Sequence, residues 1–435
     1  MGDSAVEIDL LPDECEHPKV ESAADLDAID ELRVFRERFT HSDSEPDLIY
    51  LDGNSLGRQP VEAKKVLELV VGAQWGERLI RGWNEGWLDI PLRVGNLIGE
   101  LIGAADGEVI LAENTSVCLF KLAVAKLKAQ PSRTTIITTS DNFPSDIQVL
   151  HSAALNAGLG HIVRVIDTEL SDDPMAELCE ALDDSTALVS LSHVSYRSGW
   201  RWDLAEVNQA ATTTGSSVLW DLSHSVGAIP IDVAASEVEV AVGCTYKYLN
   251  GGPGAPAFMY VRSDQNDLMN PISGWFGSQD PFTFDPASPA ASDITRFLTG
   301  TPHVVSAALI QPGVEMLLDA GIDSVYRKSV QLSDRFIQLC DEQLGSLGFE
   351  VRSPINHVDR GSHVALFHPD AQAVGLALIN EASIIPDFRP PDILRFGFAP
   401  LYTRFADVDA TVDRIRELVM GGAIQRWQDK NPIVP

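Results

Sequence analysis

Cysteine is scarce in this sequence, and the few cysteines are scattered. There are five in 435 residues, and no two of them form a C-x-x-C pair. An odd, dispersed set excludes a disulfide framework and a structural zinc site, so we expect no metal. Free thiols persist in a reducing compartment, which favours a cytoplasmic location. The cysteines are Cys15, Cys118, Cys179, Cys244 and Cys340.

Long apolar runs are also missing. None approaches the roughly 20 residues that a membrane-spanning helix needs. The N-terminus, MGDSAVEIDLLPDECEHP, has no basic region followed by a long apolar one, so we do not expect a signal peptide. This stretch is acidic and interrupted by proline, which predicts a loose arm.

Basic residues are outnumbered by acidic ones. Lys plus Arg total 32 against 63 for Asp plus Glu, which gives a formal net charge of −31. Phosphate binding needs clustered cations, so the composition argues against nucleic acid and against anionic membrane surfaces as partners. The nucleotide-binding motif G-x-x-x-x-G-K-[ST] is absent. The GGPGAP stretch predicts a turn, since no helix pattern follows it.

What the sequence does contain is a repeated alternation of strand and helix patterns. Apolar, β-branched runs such as TTIITTS, TALVSLS, SSVLWD and VEVAVG are separated by segments with helical periodicity. This alternation is typical of an α/β fold whose mainly parallel sheet is covered by helices on both faces. Helical patterns also cover residues 23–39 and 61–79.

The chain is long enough for two or three domains. We predict an N-terminal arm and helix over residues 1–45, a large sheet-containing domain over 46–310, and a smaller C-terminal α/β domain over 311–435. The N-terminal segment is expected to pack on the small domain. A long amphipathic pattern, YRKSVQLSDRFIQLCDEQLGSLG, ends near Gly348, a plausible helix cap.

Ligands of open parallel sheets bind beyond the carboxyl ends of the strands. Asp221 follows the buried run SVLW, and Lys247 follows the run VEVAVGCTY. Taken singly, the aspartate is equally well a cap, the lysine a snorkelling surface residue, and nearby His224 a core histidine. Together, an aspartate and a lysine at the ends of successive strands suit a pyridoxal-phosphate site. There the lysine binds the aldehyde and the aspartate pairs with the pyridine nitrogen.

A phosphate cradle is the second requirement of such a site. Thr115 and Ser116 lie at the predicted start of a helix, where hydroxyl and backbone N–H groups bind anions. A plain helix cap explains the same two residues equally well.

Several motifs in combination resemble one family. YLDGNSLGRQP, NFPSD, WDLSHSVGAIPIDV, CTYKYLNGGPGAPAF, GWFG and LRFGFAPLYTRFADV are similar to those of kynureninases, fold-type-I pyridoxal-phosphate enzymes related to class V aminotransferases. The resemblance covers roughly residues 45–420, and the WFG block separates kynureninases from the cysteine desulfurases. It implies the fold-type-I transferase fold, with a large cofactor domain and a smaller C-terminal domain.

The resemblance also implies catalytic roles. Lys247 matches the lysine that binds the cofactor covalently, and Asp221 the residue that keeps its pyridine nitrogen protonated. Phe143 matches the residue that stacks on the ring, and Asp146 lies close to it. Tyr246 matches a residue near the phosphate and is a candidate acid for the substrate β-carbon. Further cofactor contacts are implied for Thr115, Ser116, Ser192 and His224.

Other matches concern the partner subunit and the substrate. Trp275 and Thr301 match positions that reach the phosphate of the partner subunit in family dimers, which implies a homodimer with the site at the interface. Arg395 matches the arginine that holds the substrate α-carboxylate. Trp83 falls where the family places a residue against the aryl ring, and a tryptophan there suits a flat anthraniloyl group.

The implied reaction is hydrolysis of L-kynurenine to anthranilate and L-alanine, in tryptophan catabolism or NAD biosynthesis. 3-Hydroxykynurenine is a second possible substrate. Two other readings stay open: a related enzyme such as a cysteine desulfurase or selenocysteine lyase, and a catalytically silent binding protein that keeps the fold. Desulfurases need a cysteine on a mobile C-terminal loop, whereas Cys340 lies within a predicted helix.

Overall fold

The structure, a computed structural model, describes residues 22–168, 171, 173–428 and 430. The expected loose arm over residues 1–18, with Cys15, lies outside the described residues. The helices are α1 Ala23–Ile29, α2 Val61–Glu68, α3 Ile90–Ile102, α4 Thr115–Ala129, α5 Pro144–Ala157, α6 Pro174–Ala181, α7 Leu204–Thr214, α8 Val304–Ala308, α9 Gln311–Ala320, α10 Ile322–Leu344, α11 Ala371–Glu381, α12 Phe405–Met420 and α13 Ala423–Trp427. The strands are β1 Ile49–Tyr50, β2 Val109–Leu111, β3 Thr135–Thr139, β4 Ile162–Ile166, β5 Thr186–Ser192, β6 Ser217–Asp221, β7 Val240–Gly243, β8 Phe258–Val261, β9 Glu350–Val351, β10 His363–Phe367, β11 Ile384–Ile385, β12 Asp387–Arg389 and β13 Ile393–Gly397.

The large sheet has seven strands in the order β2-β8-β7-β6-β5-β3-β4. β8 is antiparallel to both of its neighbours, and the strands from β7 to β4 are parallel to one another. β5, β6 and β7 are buried along their whole length, because helices cover both faces of the sheet. The predicted mainly parallel α/β fold is confirmed.

The C-terminal region has its own sheet and core. Its four strands are antiparallel and lie in the order β12-β13-β10-β9. The Phe336 ring of α10 packs at 4.7 Å from Phe396 and 5.4 Å from Phe398, measured between ring centroids. β1 pairs with β11, and Asp27 of α1 accepts a hydrogen bond from the backbone of Phe405. The N-terminal segment therefore contacts this region; the limits drawn above for the domains stay predictions.

The predicted helix over residues 23–39 is broken, so the prediction of one continuous helix there is wrong; the segment predicted over 61–79 is helical from Val61 to Arg78 but changes type. α1 ends at Ile29 because the Asp30 carboxylate accepts a hydrogen bond from the Leu32 backbone and begins a 3-10 helix, Glu31–Arg38. A short acidic side chain offers the backbone an alternative to the helical pattern. The second helix widens after α2 into a π-helix, Leu69–Arg78, which contains two glycines of low helix propensity.

No single helix among those described is both long and apolar enough to span a membrane. One pair, Val304–Ala320 with Ile322–Leu347, meets the length and composition test only when joined across an 84° bend.

Candidate active site

The polar residues predicted at the strand ends meet at one edge of the large sheet. β5 ends at Ser192 and β6 at Asp221, and these two residues are register partners. β7 ends at Gly243, and the loop that follows carries Tyr246 and Lys247. Adjacent parallel strands bring their carboxyl ends to the same edge, which is why residues far apart in the sequence share one site.

Lys247 is half-buried and lies against His224. Its Nζ is 2.8 Å from His224 Nε2. Burial, followed by the charge of Lys247, lowers the pKa of His224 well below its usual range, so the imidazole is neutral and its Nε2 accepts from the ammonium. Within the described part of the chain, His224 Nδ1 has no hydrogen-bond partner. The histidine therefore orients the lysine amine and keeps one ring nitrogen available.

Two carboxyl groups crowd the floor of the site. Asp146 and Asp221 are 2% and 7% exposed, and Asp221 Oδ1 accepts a hydrogen bond of 2.8 Å from the Ser223 backbone. Burial and the neighbouring Asp221 carboxylate raise the pKa of Asp146 well above its usual range, while Lys247 acts in the opposite direction. No described group bonds Asp146 Oδ2. A cationic ring nitrogen would relieve this crowding, so the residues present fit pyridoxal phosphate.

Tyr246 is neutral in this environment. The nearby Cys244, burial and the two carboxyl groups all raise the pKa of its phenol. Its backbone carbonyl accepts a hydrogen bond of 2.7 Å from Gly57 N. A Cβ on residue 57 would lie 2.2 Å from the Lys247 carbonyl oxygen, so this close approach requires glycine. The GNSLG turn thus supports the lysine loop from below, a role that sequence reasoning did not assign.

Asn142 organises the loop that carries Phe143. Its side-chain oxygen accepts from the Ser192 hydroxyl at 2.6 Å and from the Phe143 backbone at 2.9 Å. Phe143 stays 40% exposed, with its ring edge-on to Tyr196 at a centroid distance of 5.3 Å. Ser192 is therefore committed to Asn142. Sequence reasoning quoted Asn142 within the NFPSD motif but did not single it out.

Two long helices begin side by side near the predicted phosphate cradle. Thr115 and Ser116 open α4, and Asn114 caps it by accepting from the Val117 backbone at 3.0 Å. Ser116 Oγ lies 3.1 Å from the hydroxyl of Ser145, in the first turn of α5. Because Asn114 provides the cap, the hydroxyls of Thr115 and Ser116 are not needed for that purpose. Hydroxyls at two adjacent helix N-termini fit a phosphate group.

Arg395 is fully buried on β13, on the small-domain side. Its guanidinium contacts the Asp387 carboxylate and donates to the Tyr196 carbonyl. It also donates to Ser55 Oγ at 3.2 Å. The neighbouring Arg389 contacts Asp387 at 3.2 Å and Ser55 Oγ at 3.4 Å. Sequence reasoning found Arg395 but missed the other members of this group, which come from three separate segments.

Trp275, predicted to reach the phosphate of the partner subunit, and Trp83, predicted to contact the substrate aryl ring, lie in one aromatic cluster. Trp83 is 5.9 Å from Phe276, and Phe276 is 4.3 Å from Trp275, measured between ring centroids. Trp275 also contacts Phe282 and Phe284, which are 49% and 70% exposed. Thr301, which follows this segment in the sequence, is exposed to solvent. Among the described residues of one chain, no ring contact or side-chain hydrogen bond therefore joins Trp83, Trp275 or Thr301 to Lys247.

Metal and thiol chemistry find no support in the described residues. They contain no group of three or more His, Cys, Asp or Glu side chains that could hold a metal ion. Cys340 is buried within α10, and burial raises the pKa of its thiol. It cannot serve as the loop cysteine that a desulfurase needs.

Solved structures with the same fold include a cysteine desulfurase and the enzyme C-DES. A cysteine desulfurase from Thermococcus onnurineus NA1 superposes with a TM-score of 0.74 at 19% identity, covering 89% of this chain and 98% of that one. A C-DES variant with glycine covalently linked to its PLP cofactor gives 0.78 at 18% identity, covering 88% and 99%. At these identities the likeness establishes the fold, which is the fold-type-I fold expected from the sequence.

Sequence relatives are more specific. The kynureninase of Burkholderia pseudomallei (strain 1106a) is 42% identical over 405 residues, which is 92% of this chain and 95% of that protein. The kynureninase of Pseudomonas fluorescens is 40% identical over 400 residues, or 91% and 94%. Residues 325–415 match the model of the kynureninase C-terminal domain. With this identity over nearly the whole length of both chains, the protein belongs to the kynureninase family.

Proposed function

We propose that this protein is a pyridoxal-phosphate-dependent hydrolase that cleaves the Cβ–Cγ bond of L-kynurenine to give anthranilate and L-alanine. One observation carries the proposal: an amine, a neutral imidazole and a pair of crowded carboxyls share one sheet edge in a member of the kynureninase family. The Lys247–His224 pair supplies an oriented amine for proton transfer, and the Asp146–Asp221 pair supplies carboxyl groups for the ring nitrogen of the cofactor.

The cofactor would be held from three sides. Lys247 would bind its aldehyde, Asp221 with Asp146 would face its ring nitrogen, and the exposed ring of Phe143 would cover one face. The hydroxyls at the starts of α4 and α5 would receive the phosphate. When bound, pyridoxal phosphate supplies an aldehyde for the substrate amine and a cationic ring that draws electrons from the bonds at the substrate Cα.

Lys247 moves the proton at Cα. The Lys247 amine would take this proton as a general base. His224 holds Nζ at 2.8 Å, which limits the positions that the amine can take. Because the imidazole is neutral, it accepts a hydrogen bond from the lysine ammonium without electrostatic repulsion.

The carboxyl pair sets the charge of the ring. The Asp221 carboxyl group is fixed by the Ser223 backbone, and a carboxylate there favours a protonated ring nitrogen. Water adds to the side-chain carbonyl carbon, Cγ, and becomes part of the anthranilate carboxyl group when the Cβ–Cγ bond breaks. Tyr246 remains a neutral phenol, and therefore holds the proton that the β-carbon needs at that point. Arg395 holds the α-carboxylate, which fixes the orientation of Cα relative to Lys247.

The second subunit completes the site in this proposal. The exposed cluster around Trp275, and the exposed Thr301, would reach the phosphate of a neighbouring chain in a homodimer, and Trp83 would lie against the aryl ring. Exposed aromatic surface of this kind is typical of protein interfaces. We further propose a cytoplasmic location, on the basis of the reduced cysteines. A role in tryptophan catabolism or NAD biosynthesis follows from the proposed substrate.

Two measurements test the proposed function. The purified protein reconstituted with pyridoxal phosphate should show visible absorbance, and addition of L-kynurenine should release fluorescent anthranilate with stoichiometric L-alanine. A comparison of rates with 3-hydroxykynurenine then ranks the substrates, and the bulk of Trp83 predicts faster turnover of L-kynurenine. Cofactor absorbance without anthranilate release would refute the assigned reaction, and no cofactor absorbance would refute the enzyme class.

A further inference from the structure

The guanidinium of Arg395 is almost fully engaged by the protein itself. A guanidinium has five N–H donors. Its Nε and Nη2 contact Asp387, its Nη1 contacts the Tyr196 carbonyl, and its Nη2 also contacts Ser55 Oγ. These contacts leave one N–H for a ligand. The side chain is only 1% exposed, and these contacts hold its orientation.

Asp387 provides this orientation through the register of the small sheet. Asp387 of β12 lies directly opposite Arg395 of the antiparallel strand β13. Residues opposite each other on antiparallel strands have neighbouring side chains, so the pairing follows from the strand register. Asp387 is 5% exposed, and a buried carboxylate is stable only when paired.

Arg389 shares the same carboxylate. It lies two residues after Asp387 on the same strand, and therefore on the same face. Its Nη2 contacts the Asp387 Oδ2 atom that Arg395 also contacts. The Nη2 atoms of Arg389 and Arg395 also converge on one oxygen, Ser55 Oγ, at 3.4 and 3.2 Å. The Asp387 carboxylate and the Ser55 hydroxyl thus hold the two guanidinium groups side by side.

The charges balance for one additional anion. Two guanidiniums and one carboxylate leave a net positive charge, which one α-carboxylate would neutralise. Asp52 is the other acid beside them. Burial, followed by the charge of Asp387, raises the pKa of Asp52 to about 7, so Asp52 holds a proton for much of the time at neutral pH.

We propose that Asp387 is a positioning residue that fixes Arg395 and Arg389 as a paired guanidinium site for the substrate α-carboxylate. The inference rests on the proposed function and extends it, because it adds a second cation and the residue that aligns both. Asp387 does not touch the substrate in this account. It acts by preventing the two guanidiniums from rotating away from each other.

The test compares two ligands that differ only in the carboxylate. In the holoenzyme, Asp387→Asn should raise KM for L-kynurenine about 10- to 100-fold with kcat changed less than about threefold. Inhibition by kynuramine, which lacks the carboxylate, should stay unchanged. Glu350→Gln is the matched control, since Glu350 pairs with Arg352 at 2.9 Å on the exposed surface of the same region. That variant should leave both values unaltered.

Arg389→Gln gives an independent reading if Asp387→Asn does not fold. The Arg389 side chain is partly exposed, so the fold should tolerate its loss, and KM for L-kynurenine should rise about tenfold without an effect on kynuramine.

Three results would overturn the proposal. Tighter binding of L-kynurenine by Asp387→Asn would mean that Asp387 acts only through its charge. An equal loss for both ligands would mean a purely structural role. An unchanged preference for L-kynurenine over kynuramine in both variants would mean no role. Failure of the wild-type protein to cleave L-kynurenine would instead refute the proposed function, so the two failures are distinguishable.

Discussion

The strand ends of the large sheet and the β12–β13 pair of the small sheet both bring charges into the site, but they neutralise them differently. On the large-sheet side, Asp146 and Asp221 lie together, and one carboxyl oxygen has no bonding partner within the described part of the chain. On the small-sheet side, Arg395 and Arg389 share the Asp387 carboxylate. The first side has an excess of acid, whereas the second supplies its own counter-ion.

This difference indicates how each side is completed. Buried like charges are costly unless an opposite charge joins them, so the carboxyl pair is suited to a tightly bound cationic group that stays in place. The arginine pair is already stabilised by Asp387 and needs no resident ligand. It is therefore suited to an anion that enters and leaves in each turnover.

The largest expected effect comes from removing the amine of the large-sheet side. Lys247→Ala should lower kcat at least about 10⁴-fold and abolish the visible absorbance of the covalently bound cofactor. The exposed Lys64→Ala is the matched control and should behave as wild type. Normal turnover by Lys247→Ala would remove the basis for assigning this lysine.

Two amide substitutions separate the contributions of Asp221 and Asp146. Asp221→Asn should lower kcat by about 10²–10³-fold, since the ring nitrogen loses its anionic partner. Asp146→Asn should raise the melting temperature of the apoprotein, because the amide removes both the buried acid and its repulsion with Asp221, which raise the pKa of Asp146. Steady-state kinetics and thermal unfolding measure these effects. A destabilised Asp146→Asn apoprotein would contradict the view that the two acids oppose each other without a ligand.

The exposed aromatic cluster tests whether the partner subunit contributes a third group of residues to the site. If Trp275 and Thr301 serve the site of the partner subunit, then Lys247→Ala chains mixed with Trp275→Ala/Thr301→Ala chains should form hybrid dimers with one intact site. Random mixing predicts recovery of about a quarter of the wild-type activity. The two variants are mixed, unfolded and refolded together, and the activity of the refolded mixture is compared with that of the wild type. Recovery no greater than the sum of the two parents would place these residues in the site of their own chain.

The sequence predicted the large-sheet side better than the small-sheet side for a physical reason. Asp221 and Lys247 follow buried strands of one parallel sheet, and the rule that ligands bind at strand ends brings them together without further information. The partners of Arg395 cannot be found in this way. Asp387 reaches it through antiparallel register, and Tyr196 and Ser55 arrive from loops of distant segments.

Ser192 and Asn142 show a second limit. A serine at the end of β5 was predicted to contact the cofactor, yet its hydroxyl bonds the side chain of Asn142, so its contact with the cofactor stays a prediction. Similarly, Asp30 is a polar residue that suits the exposed face of a helix, yet the first helix ends there because its side chain caps the 3-10 helix that follows. Short polar side chains choose between several nearby partners, and only the packed structure shows which one they bond.

The smallest expected effect concerns Asp52, the acid beside the arginine pair. Its pKa of about 7 in the fold is above the value of about 3.9 in an unfolded chain. The folded protein therefore binds more protons than the unfolded chain between these values, and this group's contribution to stability is lost as the pH rises through about 7. Asp52→Asn should remove that dependence, so the variant should gain about 2–6 °C in melting temperature over wild type between pH 5 and pH 8.

Asp264→Asn provides the control of opposite sign. The Arg262 guanidinium lowers the pKa of this exposed carboxyl, so its small contribution is present at neutral pH and is lost on acidification. Thermal unfolding of the three apoproteins from about pH 3 to about pH 8 measures both trends, because the Asp264 contribution is lost only below the unfolded pKa of about 3.9. If the difference between Asp52→Asn and wild type is independent of pH, Asp52 is ionised throughout, and the small-sheet side carries two anions against two guanidiniums. That side would then have no net charge left for a substrate carboxylate, and its contrast with the acid-rich side would disappear.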